Sequence, residues 1–251
     1  MTAALRGGRG LVLLSDLDGT LAPIRARPEA VRLPPETRRL LARLSRHPRA
    51  RVGIVSGRSL RDVRARVRVP GAAYAGCHGL EIAWRGVRFR HPRAVRLVRR
   101  LRRAERELRR TAAYVPGTLL EWKGLMVSLH YRLAPPAALP ALRAAVRRVA
   151  AEGPTLEVLA GQKVLELRPD VAWGKGEAAG LLRRILGRSL GQGVPVTLYL
   201  GDDQTDAEAF RALRGRALCV AVGRQPARAN YRLPGPAAVR GLLAWLVTAI
   251  G

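Results

Sequence analysis

The sequence predicts an α/β fold, a mostly parallel sheet covered by helices, with a smaller α+β module inserted into it. Three observations carry that expectation. Short continuous apolar runs, LVLLSD at 11–16, RVGIVSG at 51–57 and VTLYLGDD at 196–203, have the character of strands buried on both faces. Amphipathic stretches of helical period separate them in the first third and the last third of the chain. Between these thirds the rhythm changes to paired hairpin patterns, so the alternation is interrupted rather than ended.

Taken in order, 11–16 is the first strand. PPETRRLLARLSRHP (34–48) follows as a helix, opened by proline and carrying Leu40, Leu41 and Leu44 on one face. The strand at 51–57, a helix at 59–67 and a strand at 72–79 complete a right-handed βαβαβ run. LEIAWRGVRFRHP (80–92) suggests short antiparallel pairing, before one long helix over 93–113. A hairpin over 117–133 turns near Trp122–Gly124, a helix spans 141–152, and a second hairpin over 155–169 turns at Gly161. The helix at 174–188, the strand at 196–203, a helix at 206–213, a strand at 217–223 and a helix at 239–250 resume the alternation. The expected boundaries are therefore a core at 1–82 and 169–251, with the insert at 83–168.

A chain of 251 residues can bury a full core, and its apolar runs are too short to span a bilayer. The opening MTAALRGGRGLVLL lacks the apolar length of a secretory signal, which points to a cytoplasmic protein with no membrane partner. Cys77 and Cys219 show neither metal-ligand spacing nor a disulfide framework and read as small core fillers. The net charge of +28 raises the possibility of nucleic-acid binding. The arginines are scattered along polar helix faces, however, and no cluster alternates with aromatics as a stacking surface requires. A solvated coat from an Arg-rich coding bias is the favoured reading, with nucleic acid not an expected partner.

Against that background the scarce residues carry information. Of 46 basic residues only Lys123, Lys163 and Lys175 are lysine. Of the aspartates, Asp16 and Asp18 fall in one short stretch and Asp202, Asp203 and Asp206 in another. Both stretches lie at the carboxyl ends of apolar strands, where open α/β sheets bind ligands. Carboxylates converging there repel one another unless a divalent cation offsets their charge, and an oxygen-only donor set suits Mg²⁺. Ser56 ends a third strand, and Lys175 sits in a GKG turn that opens a helix, where an ammonium and exposed amides hold a phosphate. Two acids, a hydroxyl, a lysine and a metal site are the requirements of phosphoryl transfer.

DLDGT, SGR, a lysine before a helix and GDDQTD together resemble the four-motif pattern of haloacid dehalogenase superfamily phosphatases. DLDGTLAPI, AGCHG, EWKGLMVSLHYR, GQKVLELRP and GDDQTDAEAF are more narrowly similar to the trehalose-6-phosphate phosphatases. The pattern departs from that family at Leu17, Cys77 and Ala207, where an aromatic, a Ser or Asn, and a Glu are frequent.

The resemblance implies a Rossmann-like parallel-sheet core with an inserted α+β cap. It implies a Mg²⁺-dependent hydrolase of trehalose 6-phosphate working through an aspartyl-phosphate. Asp16 would be the nucleophile and Asp18 the acid and base, with Ser56 and Lys175 on the phosphoryl oxygens. Mg²⁺ would be held by Asp16, the Asp18 backbone carbonyl and Asp202, with Asp203 and Asp206 orienting that shell. The sugar would meet Glu121, Lys123 and Glu166, among the further polar candidates Arg58, His78, His130, Arg132 and Lys163. Plainer readings stand beside these roles. Glu121 and Lys123 fit an exposed cross-strand pair, Glu166 fits a solvent-facing position between Leu165 and Leu167, and His130 fits a hairpin core. The expected partner is a small sugar phosphate bound by a monomer. Rival readings are phosphatase action on another sugar phosphate, of sucrose or glucosylglycerol type, and nucleic-acid binding on a degenerate phosphatase scaffold.

Overall fold

The computed structural model describes every residue except 154, 192 and 225–228. It divides into two compact units, Met1–Phe89 with Trp173–Gly251, and Arg90–Ala172.

In the first unit a short helix, α1 (Thr2–Arg6), precedes β1 (Leu11–Ser15), α2 (Pro35–Arg46), β2 (Ala50–Val55), α3 (Leu60–Val67) and β3 (Ala73–Gly76). A hairpin of β4 (Glu81–Trp84) and β5 (Val87–Arg90) follows. The second unit holds α4 (Pro92–Arg96), α5 (Val98–Ala113), β6 (Leu119–Trp122), β7 (Val127–His130), α6 (Leu139–Ala151), β8 (Leu156–Gly161) and β9 (Val164–Pro169). The chain then returns to the first unit through α7 (Lys175–Arg188), β10 (Val196–Gly201), α8 (Gln204–Ala212), β11 (Leu218–Val222), β12 (Tyr231–Leu233) and α9 (Pro236–Ile250).

The eight-stranded sheet runs β12-β11-β10-β1-β2-β3-β4-β5. Its pairings are parallel from β12 through β3 and antiparallel between β3 and β4. Alternation along each strand sorts the core into two layers. Leu11, Leu13, Leu198 and Leu200 join Leu41, Leu44, Val63 and Leu243 on the face covered by α2, α3 and α9. Val12, Leu14 and Tyr199 meet Ala178, Leu182 and Phe210 on the face covered by α7 and α8. Every residue of β1 is buried, as the unbroken apolar run requires. Both cysteines are buried and free.

The second unit is an antiparallel sheet, β6-β7-β9-β8. Val127, Leu129, Leu165 and Leu167 pack on Leu101, Leu108, Leu142 and Val146 of α5 and α6. The intervening residues of β7 and β9, Ser128, His130, Glu166 and Arg168, project from the opposite, helix-free face.

Several expected details are shifted. The helix expected over 93–113 is broken at Leu97, whose φ of −92° and ψ of 2° leave the α region and separate α4 from α5. The strand expected over 72–79 stops at Gly76, because Cys77 and His78 take positive φ in a 3₁₀ turn. The second hairpin turns one residue later than expected, at Gln162 and Lys163, with Lys163 in the left-handed region at φ 64°. Residues 83–89, assigned from sequence to the insert, complete the edge of the eight-stranded sheet instead. Neither α1 nor the three-residue β12 was anticipated, both being too short to show a periodicity.

Candidate active site

The chain passes from β1 to β2 on one side and later returns to β10 on the other. A crevice therefore opens at the carboxyl ends of β1 and β10. Asp16 follows β1 and Asp202 follows β10, so two buried strands deliver their acids to one place. Gly19 permits the closeness: it has φ +85°, and a Cβ there would lie 2.1 Å from Asp202 Oδ2.

Asp16, Asp202 and Asp206 are all buried, and each offers an oxygen within 4.8 Å of the others. Lys175, 2% exposed, is the cation among them. Its Nζ donates to Asp206 Oδ1 at 2.9 Å and Asp16 Oδ1 at 3.1 Å, and Asp203 Oδ1 lies 3.6 Å away. Gly174 supplies the N-cap that starts α7 at Lys175, its amide donating to Glu177 Oε2 at 2.8 Å.

Asp206 is held from every side. Its Oδ1 also accepts from the Tyr199 hydroxyl at 2.8 Å, and its Oδ2 accepts from the amides of Asp202 and Asp203 at 3.1 and 3.2 Å. Asp203 caps α8 by accepting the Asp206 amide at 3.0 Å, so the two acids form a reciprocal capping box. Four donors occupy the Asp206 carboxylate. Asp16 accepts Lys175 through one oxygen, and Asp202 accepts only the Thr20 hydroxyl at 3.1 Å among the described residues.

The electrostatics follow from burial. Burial first, and then Asp206, Asp202 and Asp203, pushes the Asp16 carboxyl well above its ordinary value against the pull of Lys175. Burial, then Asp206 and Asp203, raises Asp202 to about 7. Asp206 reaches about 6, mainly through burial, with Lys175 opposing. Asp203 moves down although burial opposes it, because Lys175 and a hydrogen bond from Thr205 favour its charge. Lys175 is pushed up: burial works against its charge, and Asp16, Asp203 and Asp206 outweigh burial. Hence one ammonium faces more carboxylate charge than it offsets. An oxygen-only set with open lone pairs on Asp16 and Asp202 fits a hard divalent cation.

A pH prediction follows. An acid raised in the fold is ionised more readily in the unfolded chain, so its ionisation weakens the fold as pH rises. For Asp202 the window runs from about 4 to about 7. In EDTA the melting temperature is expected to fall across that window. Asp202→Asn should recover about 4 kcal/mol at pH 8, and Mg²⁺ should flatten the wild-type profile. A pH-independent melting temperature in EDTA, unchanged by Mg²⁺, would contradict the uncompensated charge.

Asp18 lies outside this cluster. Both its oxygens accept from Arg58, at 2.7 Å each. Arg58 is buried and also bonds Asp62 Oδ2 at 2.6 Å and the Pro28 carbonyl at 2.9 Å. Burial opposes its charge, yet Asp18 and then Asp62 raise the guanidinium above its ordinary value. Ser56, buried at the end of β2, accepts the Arg58 amide at 3.2 Å. His78 donates its amide to the Ser56 carbonyl, and its ring lies so close to Gly57 that a Cβ there would meet it at 2.8 Å. Arg58, Ser56 and His78 therefore adjoin one another in the first unit.

The second unit holds another polar group of its own. Lys123 Nζ donates to Glu166 Oε1 at 2.9 Å and lies 3.9 Å from Glu121 Oε2. The Ser128 hydroxyl donates to the same Glu166 oxygen at 2.8 Å, and His130 Nε2 pairs with Glu121 Oε2 at 2.9 Å. Lys123, Ser128 and Glu166 are buried, so Glu166 does not face solvent. Arg132 and Lys163 are not brought into this group. Arg132 Nη2 donates to the Gln162 carbonyl at 2.8 Å, and Lys163 is exposed at the tip of the turn. Thr20, Ser128 and Tyr199 were missed from sequence. For Ser128 the available signal was its register, opposite both Glu121 and Glu166.

A family model described as trehalose-phosphatase matches residues 14–237. The chain belongs to the trehalose-phosphatase family. It is 33% identical over 254 residues to trehalose-phosphate phosphatase B of Arabidopsis thaliana, covering 96% of this chain and 67% of that protein. It is 36% identical over 249 residues to an uncharacterized glycosyl hydrolase of Mycobacterium tuberculosis, covering 96% of this chain but 18% of that protein. The chain thus spans less than a fifth of the mycobacterial relative. A solved trehalose-6-phosphate phosphatase related protein superposes with a TM-score of 0.82 at 25% identity, over 94% of this chain and 97% of that one. The trehalose-phosphatase family match spans both acid-bearing strand ends and the Glu121–Lys123–Glu166 group.

Proposed function

We propose that this chain hydrolyses trehalose 6-phosphate to trehalose and phosphate, with Mg²⁺ as its cofactor. The observation that carries this reading is Lys175 clamped between Asp16 and Asp206, beside an Asp202 that has lone pairs to spare.

Asp16 and Asp202 would hold the cation with the Asp18 backbone carbonyl, while Asp206, already occupied by four donors, orients Lys175 and the α8 cap. When bound, Mg²⁺ offsets the charge of the carboxylates and of the phosphoryl group. Lys175 keeps one Asp16 oxygen hydrogen-bonded, and the other attacks phosphorus as the bond to the sugar oxygen breaks. Asp18 leaves Arg58 and takes up a proton from solvent, gives it to that sugar oxygen, then takes one from the water that releases phosphate from Asp16 and returns it to solvent. The Ser56 hydroxyl and Lys175 ammonium bind the phosphoryl oxygens through both displacements.

The sugar is assigned to Glu121, Lys123 and Glu166, because an ammonium donates to hydroxyls and carboxylates accept from them. The unit carrying them serves as the cap that shields the reaction from water. Buried free cysteines suit a reducing cytoplasm, and among the described residues no helix is long and apolar enough to cross a membrane. We assign the active form to a monomer.

Phosphate release from a panel of sugar phosphates tests the reading. The expected result is at least a tenfold higher kcat/KM, about 1.4 kcal/mol, for trehalose 6-phosphate than for glucose 6-phosphate or sucrose 6-phosphate. Equal values would remove the substrate assignment and leave the phosphatase chemistry standing.

A further inference from the structure

A groove of about 620 Å³ lies in the first unit, lined by Arg64, Arg68, Tyr74, Trp84, Arg85 and Arg88 among others. It lies toward the opposite end of the parallel strands from the acid cluster, because Val69–Ala72 lead into the start of β3 whereas Asp16 and Asp202 follow the ends of their strands. Four guanidiniums line it, all on exposed residues. No carboxylate pairs with any of them among the described residues. The Arg68 Nε is the one that bonds locally, to the Ala65 carbonyl at 2.7 Å.

Two of these arginines occupy backbone positions that favour other residues. Arg68 ends α3 in the left-handed region at φ 51°, where glycine is the common choice. Arg85 and Gly86, at φ 45° and 83°, form the two-residue turn between β4 and β5. Two positive φ values call for Asn, Asp or Gly at the first position. The walls are fixed. The Trp84 indole donates to the Gly71 carbonyl at 3.1 Å, and the Tyr74 hydroxyl bonds Val69 at 2.9 Å. Arg85 lies over the Trp84 ring, 4.9 Å from its centre.

Edge-strand protection accounts for charge on β5, where Arg88 guards an exposed strand against pairing. It does not account for Arg64 and Arg68, which come from α3. A general coat of arginine explains neither the concavity nor the convergence of three separate segments. The positive field is felt nearby: Arg51 falls below its ordinary value through burial and then through the charge of Arg85.

We propose that this groove is an anion site for an oligophosphate, bound by Arg64, Arg68, Arg85 and Arg88. Its volume is that of a small-molecule cleft, and three or four negative charges balance its four cations. Guanidiniums bind phosphate oxygens in pairs. Since one face of Trp84 is covered by Arg85, the phosphates rather than a stacked base supply the recognition.

Calorimetric titration at about 0.15 M salt in EDTA tests this, with inorganic tripolyphosphate and with ATP as probes. The expected result is one saturable site, at least tenfold weaker in Arg68→Ala/Arg88→Ala. Arg143→Ala/Arg147→Ala, which removes equal charge from the exposed face of α6, should change it less than twofold. Binding of both probes identifies the phosphate chain as the shared feature; binding of tripolyphosphate alone restricts the site to inorganic chains. Equal weakening in the two double variants, or no saturation at one equivalent, would overturn the proposal in favour of the diffuse coat. Displacement by a short DNA duplex that binds the wild type more tightly than either probe would overturn it in favour of nucleic acid.

Discussion

Asp16→Asn is expected to lower phosphate release by about 10⁴-fold or more while leaving the fold at least as stable as the wild type. The two halves of this result have one cause. The Asp16 carboxylate is buried beside three other acids, and burial disfavours its ionisation. Asparagine keeps an oxygen for the Lys175 hydrogen bond and removes the charge. It cannot attack phosphorus. Phosphate release with the best sugar phosphate, read beside a melting curve in EDTA, measures both. Residual turnover above about one per cent would exclude Asp16 as the nucleophile. A large drop in melting temperature would show that its charge holds the site together rather than burdening it.

Lys175→Met is expected to produce the largest loss of stability available at this site. Removing the ammonium leaves Asp16, Asp203 and Asp206 around an uncompensated buried space, a change of about 3–5 kcal/mol. In a domain of this size that lowers the melting temperature by roughly 10 °C. Adding Asp206→Asn should restore more than half of the loss, since it deletes one of the carboxylates left behind. Lys175→Arg should not substitute. Nζ makes three contacts of 2.9, 3.1 and 3.6 Å in a space where the residue is 2% exposed, and a planar guanidinium is too large for it. Thermal melts of the three variants at pH 7 check this. Wild-type stability in Lys175→Met, or wild-type turnover in Lys175→Arg, would overturn the balance of charge described here.

The parallel core was legible because its strands are unbroken apolar runs that end in the scarcest residues of the chain. LVLLSD and VTLYLGDD marked both the strands and the place where they deliver carboxylates. Side-chain direction was not legible. Nothing in DLDGT shows that Asp18 turns to Arg58 while Asp16 turns to Lys175, since that depends on a guanidinium held by Asp62 and the Pro28 carbonyl. The double duty of Asp206 was hidden for a similar reason: its donors come from β10, α7 and its own cap. Arg132 and Lys163 show the same limit. Their motifs are those of a binding surface, but the two-residue turn places one on a carbonyl and the other in solvent. Short elements such as β12 give no periodic signal, and the break at Leu97 falls within an otherwise continuous helical pattern.

The capping box of α8 has a consequence for how the site comes apart. The amides of Asp202 and Asp203 and the ammonium of Lys175 converge on the two oxygens of one carboxylate. Fraying of that first helical turn therefore cannot occur as a local event at the surface. Releasing those amides to exchange with solvent also sets the lysine adrift from its anchor. The slowest-exchanging protons of the loop then report, without any substrate, whether Lys175 is in place.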